Sequence, residues 1–347
     1  MVRLIDIAKK TGFSVAVVSR ALQQEKDPYD RISEKSRSLI RKAALEMGYT
    51  RNLQAAFLRR GQMPAVRVLM PAWTSPEIIQ MSMGISDASL KLGYPLIYHY
   101  YSRETDYISF LEQSRHEKNT GVIFYLHDRM NREELQRGCE AYLASGGKMI
   151  FMNTWSADFS GIVPDMVMLN IDEEYGGRLA AEYLKGLSCR EFSIVYTSPD
   201  RYSRLRRKGF ADALGGEGQP GYSFDFLRVG ENYRQYEKRS RKLLNDFYEK
   251  AVKQSGKPHG IFFTSFFMAN AVMNDLIRRG MEVGKQIHAV GFSSNTVSQY
   301  PFYYYAKIVI PFYEMGNTAM KKLVSILNGR QESSQMFQPF MDYDYDI

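Results

Sequence analysis

The chain has 347 residues, of which 44% are hydrophobic and 24% are charged, and its 24 tyrosines and 20 phenylalanines can fill a large core. This composition excludes extended disorder, and the length predicts roughly two or three domains. The two cysteines, Cys139 and Cys189, exclude a disulfide framework and match no metal spacing, so we expect two small buried side chains in a reducing compartment.

The net charge of +8 is concentrated near the N-terminus. Residues 1–62 hold 13 Lys+Arg against 6 Asp+Glu, whereas the remaining 285 residues hold 33 against 32. A small basic module on a nearly neutral body is typical of a protein that binds a polyanion, although a merely solvated basic surface is the alternative. No apolar run is long enough for a signal peptide or a membrane span, and we therefore expect a cytoplasmic protein.

Three short helices are predicted in the basic module. The first covers 3–10, and Gly12 can take the positive φ of the tight turn that follows. Ser14 is a suitable N-cap for a second helix from Val15 to about Leu22. The third helix is predicted from about Ser33 to Met47. Two short helices joined by a glycine-containing turn form a helix-turn-helix.

The second helix of this motif has an apolar inner face and a mixed outer face. Three side chains can pack inward: Val18, Ala21 and Leu22. Four side chains then face outward: Val15, Ala16, Ser19 and Arg20. In a helix-turn-helix this outer face enters the major groove, where an arginine can bond guanine and small aliphatic groups can contact thymine methyls. A small helical domain for protein contacts is the alternative.

The run LIDIAKKTGFSVAVVSRAL (4–22) and the run ISEKSRSLIRKAALEMGY (32–49) resemble the DNA-binding head of the LacI/GalR repressor family, whose pattern runs roughly "DVA..AGVS..TVSR.L". The resemblance implies that six head residues contact DNA: Ser14, Val15, Ala16, Val17, Ser19 and Arg20. The family usually has threonine where this chain has Val17, so one phosphate contact is expected to be missing. The link 23–32 is longer than usual and is either a longer loop or an additional DNA contact.

The segment TRNLQAAFLRRGQ (50–62) matches the position of the family's hinge, which becomes a helix on operator DNA. The resemblance assigns Asn52, Ala55 and Leu58 to DNA binding, with Leu58 as a wedge in the minor groove. Arg51 replaces the family's usual proline. Without the resemblance, this segment is a basic linker with some helical propensity.

After residue 63 the predicted strands and helices alternate, which indicates βαβ units and parallel sheets. Strands are predicted at 66–70, 95–101, 120–125, 148–152, 167–171, 191–197, 224–229, 260–264 and 287–292. Helices are predicted at 76–93, 104–117, 131–145, 175–186, 203–213 and 233–254. Two more are predicted, one that follows the strand at 260–264 and ends at 279, and one from about 312 to 328. This order resembles the two-lobed periplasmic-binding-protein-like effector domain of the same family.

The expected fold is therefore a small all-α helix-turn-helix head joined by a hinge helix to an α/β two-lobed periplasmic-binding-protein-like domain. The expected domains are a head at 1–48, a hinge at 49–62, and an effector-binding and dimerisation domain at 63–347. Lobe 1 is expected at about 63–155 plus 293–322, and lobe 2 at about 160–290 plus 323–347. The helix near 312–328 is expected beside a dimer interface.

The resemblance also implies a ligand between the lobes, at the carboxyl ends of the strands. Six residues are expected to bind this effector: Trp73, Asn153, Arg206, Ser265, Phe266 and Ser293. Glu173 replaces the asparagine of the family's usual Asp-Asn pair, which begins here at Asp172. Two carboxylates that typically bind sugar hydroxyls in the family are replaced at Ser265-Phe266 and Ser293, so a simple neutral sugar is less strongly expected here than for the family in general.

The sequence contains no HExxH motif, GxSxG elbow or P-loop, so no catalytic residue, metal or cofactor is predicted. We expect a transcriptional regulator that represses metabolic genes as a homodimer on double-stranded operator DNA, under the control of a small-molecule effector. The sign of that control is open, because linkage permits induction or co-repression. The alternative is an α/β small-molecule-binding protein or enzyme with a regulatory head.

Overall fold

In a computed structural model, the chain divides into two units, Met1–Gly61 and Gln62–Ile347. The structure describes residues 2–22, 32–49, 65–72, 76–103, 105–116, 121–126, 130–152, 161–196, 201–216, 223–228, 258–265, 269–293 and 306–342. The predicted hinge, the link 23–31 and the predicted helix at 233–254 lie outside these residues.

The first unit contains the three predicted helices, α1 (Leu4–Thr11), α2 (Val15–Ala21) and α3 (Glu34–Glu46). Gly12 follows α1 with a φ of 74°, a conformation that glycine adopts without steric cost. The hydroxyl of Ser14 accepts a hydrogen bond from the backbone N–H of Val17 at 3.3 Å and so caps α2. The predicted turn and N-cap are therefore both confirmed.

The core of the first unit is small and consists of one face from each helix. Its buried residues are Ile7, Ala8, Val18, Ala21, Ile40, Ala43 and Ala44. Val18 and Ala21 are fully buried and Leu22 packs against the same cluster, as the pattern of α2 predicts. The inner face of α2 thus fixes which side chains point outward.

The second unit contains twelve short strands, counted over the residues that the structure describes. They are β1 (Val66–Pro71), β2 (Leu96–Tyr101), β3 (Gly121–Tyr125), β4 (Lys148–Met152), β5 (Met168–Ile171), β6 (Glu191–Tyr196), β7 (Ser223–Arg228), β8 (His259–Phe263), β9 (Ile287–Ser293), β10 (Ala306–Val309), β11 (Gln335–Phe337) and β12 (Phe340–Asp342). Three of the inner strands, β1, β3 and β8, are buried along their whole length, as expected where helices cover both faces of a sheet.

The helices of the second unit alternate with these strands. Within the described ranges they are α4 (Pro76–Leu92), α5 (Asp106–Arg115), α6 (Arg132–Ala144), α7 (Glu173–Gly186), α8 (Arg201–Ala213), α9 (Ala269–Arg278) and α10 (Phe312–Leu327). The predicted α/β alternation is confirmed. No helix among the described residues is both long enough and apolar enough to span a bilayer.

The strands form two six-stranded sheets. The first has the order β11-β5-β4-β3-β1-β2 and the second β12-β10-β9-β8-β6-β7. All pairings are parallel except that of β12 with β10. We call each sheet with its helices a lobe: the first carries α4–α6 and α10, and the second carries α7–α9.

The pairing corrects the expected lobe boundaries. Residues 168–171 were expected in lobe 2, but β5 pairs with β4 of the first sheet. Residues 306–309 were expected in lobe 1, but β10 pairs with β9 of the second sheet. After β10 the chain returns to the first lobe, where α10 packs against α4. Residues 335–337 were expected in lobe 2, but β11 pairs with β5 of the first sheet, and β12 then joins the second sheet. The chain therefore crosses between lobes one strand later than the sequence pattern suggests.

Both cysteines are buried free thiols, as expected. Burial raises the pKa of the Cys139 thiol to about 12 and that of Cys189 to about 11. Because the thiolate is the reactive form, both side chains behave as small hydrophobic groups.

Candidate DNA-binding and effector-binding sites

The outer face of α2 is open to solvent. Ser14, Val15, Ala16 and Arg20 are exposed, with Val15 at 41%, and Ser19 is partly exposed. This face carries no acidic side chain, and the α2 N-terminus presents backbone N–H groups that favour an anion. The arrangement suits a helix end that approaches a phosphate backbone and contacts base edges.

The Arg20 side chain lies against its own helix. Its Nε donates to the backbone carbonyl of Ala16 at 3.4 Å, which is a long bond on an exposed surface. Such a bond costs little to break, so the guanidinium can turn outward toward a base. Val17 differs from the other five head residues that were expected to contact DNA, because its side chain packs against the head core and is partly buried.

Arg37 of α3 is a head residue whose role sequence reasoning missed. Its guanidinium is buried, and Nη1 donates to the backbone carbonyls of Arg20 and Ala21, at 3.5 and 3.4 Å. These carbonyls lie at the C-terminal end of α2, where the helix dipole favours a cation. Arg37 precedes buried Ile40 and Ala44 by three and seven residues, a spacing that places it on the apolar stripe of α3 and was visible in the sequence.

The expected effector arginine lies at the carboxyl edge of the second sheet. Arg206 of α8 is buried, and its Nε donates to the Glu173 carboxylate at 2.6 Å. Its Nη1 donates to the backbone carbonyl of Thr264, also at 2.6 Å. The guanidinium lies 3.6 Å from the ring centroid of Phe292 and 4.7 Å from that of Tyr202. Two strong acceptors and two aromatic faces therefore fix its position.

Two glycines bring Glu173 and Arg206 together. A Cβ at Gly177 of α7 would meet the backbone carbonyl oxygen of Arg206, and a Cβ at Gly209 of α8 would meet that of Glu174. The two helices can cross at this distance only because both positions lack a side chain. The close crossing places the first residue of α7 beside the α8 arginine, a contact that the sequence order does not suggest.

Two other expected effector residues share this edge. Ser265 follows Thr264 at the end of β8, Ser293 ends the neighbouring strand β9, and both are partly exposed. The structure thus brings Arg206, Ser265 and Ser293 to the carboxyl ends of adjacent strands, where ligands of open α/β sheets bind. Trp73, Asn153 and Phe266 lie outside the described residues, as do Asn52, Ala55 and Leu58 of the hinge.

Asp172 has a structural role in the described chain. Its carboxylate accepts the backbone N–H of Tyr175 at 2.9 Å and so caps α7. Its own N–H donates to the carbonyl of Phe337. These bonds fix the start of α7 and with it the position of Glu173.

Ser193, His259 and Glu191 of the second lobe lie in the serine–histidine–acid arrangement of a hydrolase triad. The Ser193 hydroxyl lies 3.0 Å from Nε2 of His259, and Nδ1 of His259 lies 3.8 Å from the Glu191 carboxylate. Ser193 is fully buried and His259 is 6% exposed, so no substrate can reach the hydroxyl. Glu191 and His259 also begin their strands, at the edge opposite Arg206. The buried contact between Ser193 and His259 ties β6 to β8.

Two further features do not form an effector site. A groove of about 710 Å³ lies at the amino ends of β4 and β5 and includes Lys148, Asp165 and Arg330. Ligands of parallel sheets bind at the opposite edge, the carboxyl ends. Across the described ranges, no three His, Cys, Asp or Glu side chains lie close enough to hold a metal ion.

Comparison with known families matches both units. The sequence profile of bacterial regulatory proteins of the lacI family matches residues 3–52, and that of the periplasmic binding protein-like domain matches residues 181–340. The regulator RegA of Clostridium saccharobutylicum is 24% identical over 342 residues, which cover 94% of this chain and 92% of that protein. The regulator DegA of Bacillus subtilis is also 24% identical and covers 96% and 93%.

Solved structures show the same fold. A lacI family regulator from Silicibacter pomeroyi superimposes with a TM-score of 0.61 at 20% identity, covering 99% of this chain and 98% of that one. The Lac repressor dimer bound to operator and the anti-inducer ONPF has a TM-score of 0.59 at 18% identity and covers 98% and 97%. The two profile matches, together with relatives that are transcriptional regulators over nearly their whole length, show that the chain belongs to the lacI family of bacterial regulatory proteins and is a DNA-binding transcriptional regulator, not an enzyme.

Proposed function

We propose that the protein is a homodimeric repressor that acts in the cytoplasm, reads operator DNA with its head and senses a small molecule with its body. The observation that carries the DNA-binding part is the structure of α2. Its inner face is fully buried at Val18 and Ala21. The opposite face is therefore exposed to solvent and carries Val15, Ala16 and Arg20.

In the proposed complex the N-terminal half of α2 lies in the major groove. Arg20 reads a guanine, Val15 and Ala16 contact thymine methyl groups, and Ser14 and Ser19 lie near the phosphates. Asn52, Ala55 and Leu58 of the hinge follow into the minor groove, where Leu58 wedges between base steps. Val17 contributes packing within the head rather than a phosphate contact.

The proposed dimer uses the first lobe. Ile79, Met83 and Leu90 are exposed on α4 at spacings of four and seven residues, which place them on one helix face. Tyr100 is exposed on β2, the edge strand of the same lobe, and shares a sheet face with Tyr98, whose hydroxyl donates to the Ser82 carbonyl of α4. Exposed apolar side chains on one helix face and on the adjacent sheet edge support self-association. A two-fold dimer presents two heads to two half-sites of a palindromic operator.

The proposed effector site lies between the lobes at the Arg206 edge, with Trp73, Asn153 and Phe266 completing it. One structural relative, the regulator CelR, was solved as a complex with cellobiose. By analogy we propose a sugar or another small metabolite as the effector. A ligand that contacts both lobes stabilises one closure angle and so shifts the population that is competent for DNA.

The test of DNA binding is a fluorescence anisotropy titration of the full chain at several salt concentrations. The probes are DNA from upstream of the gene and a scrambled duplex of the same length. We expect tighter binding to the upstream DNA and a steep linear fall of log affinity with log salt, because bound phosphates release counterions. Equal affinity for both duplexes at all salt concentrations would contradict the proposed function.

A further inference from the structure

We propose that Glu173 sets the charge class of the effector: it neutralises Arg206, so that the second-lobe side of the site accepts an uncharged hydroxyl or carbonyl oxygen and disfavours a phosphate or carboxylate. The inference rests on the proposed function, because it concerns the effector site between the lobes. It adds the chemical class of ligand that the site selects.

The geometry makes the two side chains one unit. The Glu173 carboxylate and the Arg206 guanidinium are 2.6 Å apart and are 9% and 8% exposed. At this distance and degree of burial the charges cancel locally, since little water lies between them to screen either one. A ligand that approaches Arg206 therefore meets a polar but neutral group.

The pair is also held rigidly. Glu173 is the first residue of α7, whose start is fixed by the Asp172 cap, and Arg206 is bonded a second time, to the Thr264 carbonyl. Phe292 covers one face of the guanidinium. An anionic ligand would have to compete with a carboxylate that is already in place, and it would have to approach that carboxylate's negative charge.

The guanidinium keeps a group for a neutral ligand. The bonds to Glu173 and Thr264 use Nε and Nη1, and the Nη2 amino group takes part in neither bond. An N–H donor in a locally neutral setting binds a hydroxyl or carbonyl oxygen without a requirement for ligand charge. Ser265 and Ser293 at the neighbouring strand ends add neutral partners of the same kind.

The experiment uses inorganic phosphate as the probe and thermal unfolding of the full chain as the readout. Wild type, Glu173→Gln and Glu174→Gln are titrated at constant ionic strength. Glu174 is the matched control because it neighbours Glu173 and forms an exposed ion pair with Lys208. We expect saturable stabilisation of Glu173→Gln at phosphate concentrations at least about tenfold below any that stabilise the other two proteins. The double variant Glu173→Gln/Arg206→Gln should lose this stabilisation by phosphate.

Folding of each variant is checked by circular dichroism. Saturable stabilisation of wild type by phosphate that vanishes in Arg206→Gln, or a folded Glu173→Gln protein that behaves like wild type, would overturn the proposal. If Glu173→Gln does not fold, thermal unfolding of wild type and Arg206→Gln is measured with glucose, gluconate and glucose 6-phosphate as probes. Protection by either anion that vanishes in Arg206→Gln overturns the proposal, whereas protection by glucose alone supports it. Operator binding is measured separately, so failure of the proposed function gives a different result.

Discussion

At the scale of single residues, Arg20 combines exposure with a replaceable bond, since its contact with the Ala16 carbonyl is 3.4 Å long. We predict that Arg20→Ala weakens operator binding by about 1–3 kcal/mol and relaxes the base preference at one position, with little change in non-specific binding. Anisotropy titrations against operator variants measure this. Arg115→Ala removes an equal charge from an exposed site on α5 and should change neither quantity.

Val17 is a second residue whose identity limits DNA binding. Its partly buried side chain has no hydroxyl for a phosphate. We predict that Val17→Thr strengthens binding by about 0.5–1.5 kcal/mol for any DNA sequence, because a phosphate hydrogen bond carries no base information. The same titrations measure the change. Ile5→Thr adds a hydroxyl to exposed α1 as the control, and an equal gain in both variants would show that position 17 is not special.

At the scale of elements, Arg37 couples α3 to the end of α2. The variant Arg37→Met keeps the apolar stem and removes the donor to two carbonyls. We predict a loss of about 1–3 kcal/mol in the free energy of unfolding of the head, since those carbonyls lose a charged partner. Hydrogen exchange of peptides from α2 and α3 reports this locally. Arg41→Met, at an exposed site one turn further along α3, should leave the exchange rates unchanged.

The crossing of α7 and α8 depends on glycine at close contact. A Cβ at Gly177 would meet backbone, which cannot yield as a flexible side chain can. We predict that Gly177→Ala lowers the free energy of unfolding of the body by about 1–3 kcal/mol. Gly186→Ala on the same helix meets nothing within 4 Å and should be neutral or slightly stabilising in urea unfolding. Equal stability of the two variants would show that the helices can separate freely.

At the scale of the whole molecule, the exposed apolar side chains of α4 and Tyr100 of β2 support the proposed dimer. We predict that Met83→Glu raises the dimer dissociation constant by about a hundredfold or more, because it buries a charge without a partner at the interface. Sedimentation velocity measures the association. Gln113→Glu places the same charge on exposed α5 and should leave a dimer. A wild-type monomer at micromolar concentration would contradict the homodimer.

Most of the predictions that the structure confirms, such as the turn and the helix cap of the head, depend on local features of the sequence. Gly12 and Ser14 act through bonds to residues within four positions, so their roles follow from sequence neighbours alone. The lobe membership of β5 and β10 did not follow, because strand pairing is decided by partners far along the chain. Both strands are short apolar runs that suit either sheet, and no local signal distinguishes the two positions.

The sequence by itself determined the class of protein. Periodicity, caps and the localised charge specify a basic helix-turn-helix on a two-lobed α/β body, because each depends on local stereochemistry or on composition. Only the tertiary structure decided that Arg206 is already paired with Glu173, and that Arg37 holds the end of α2. Those contacts join residues 33 and 16 positions apart, and they form only where helix packing brings the backbones together.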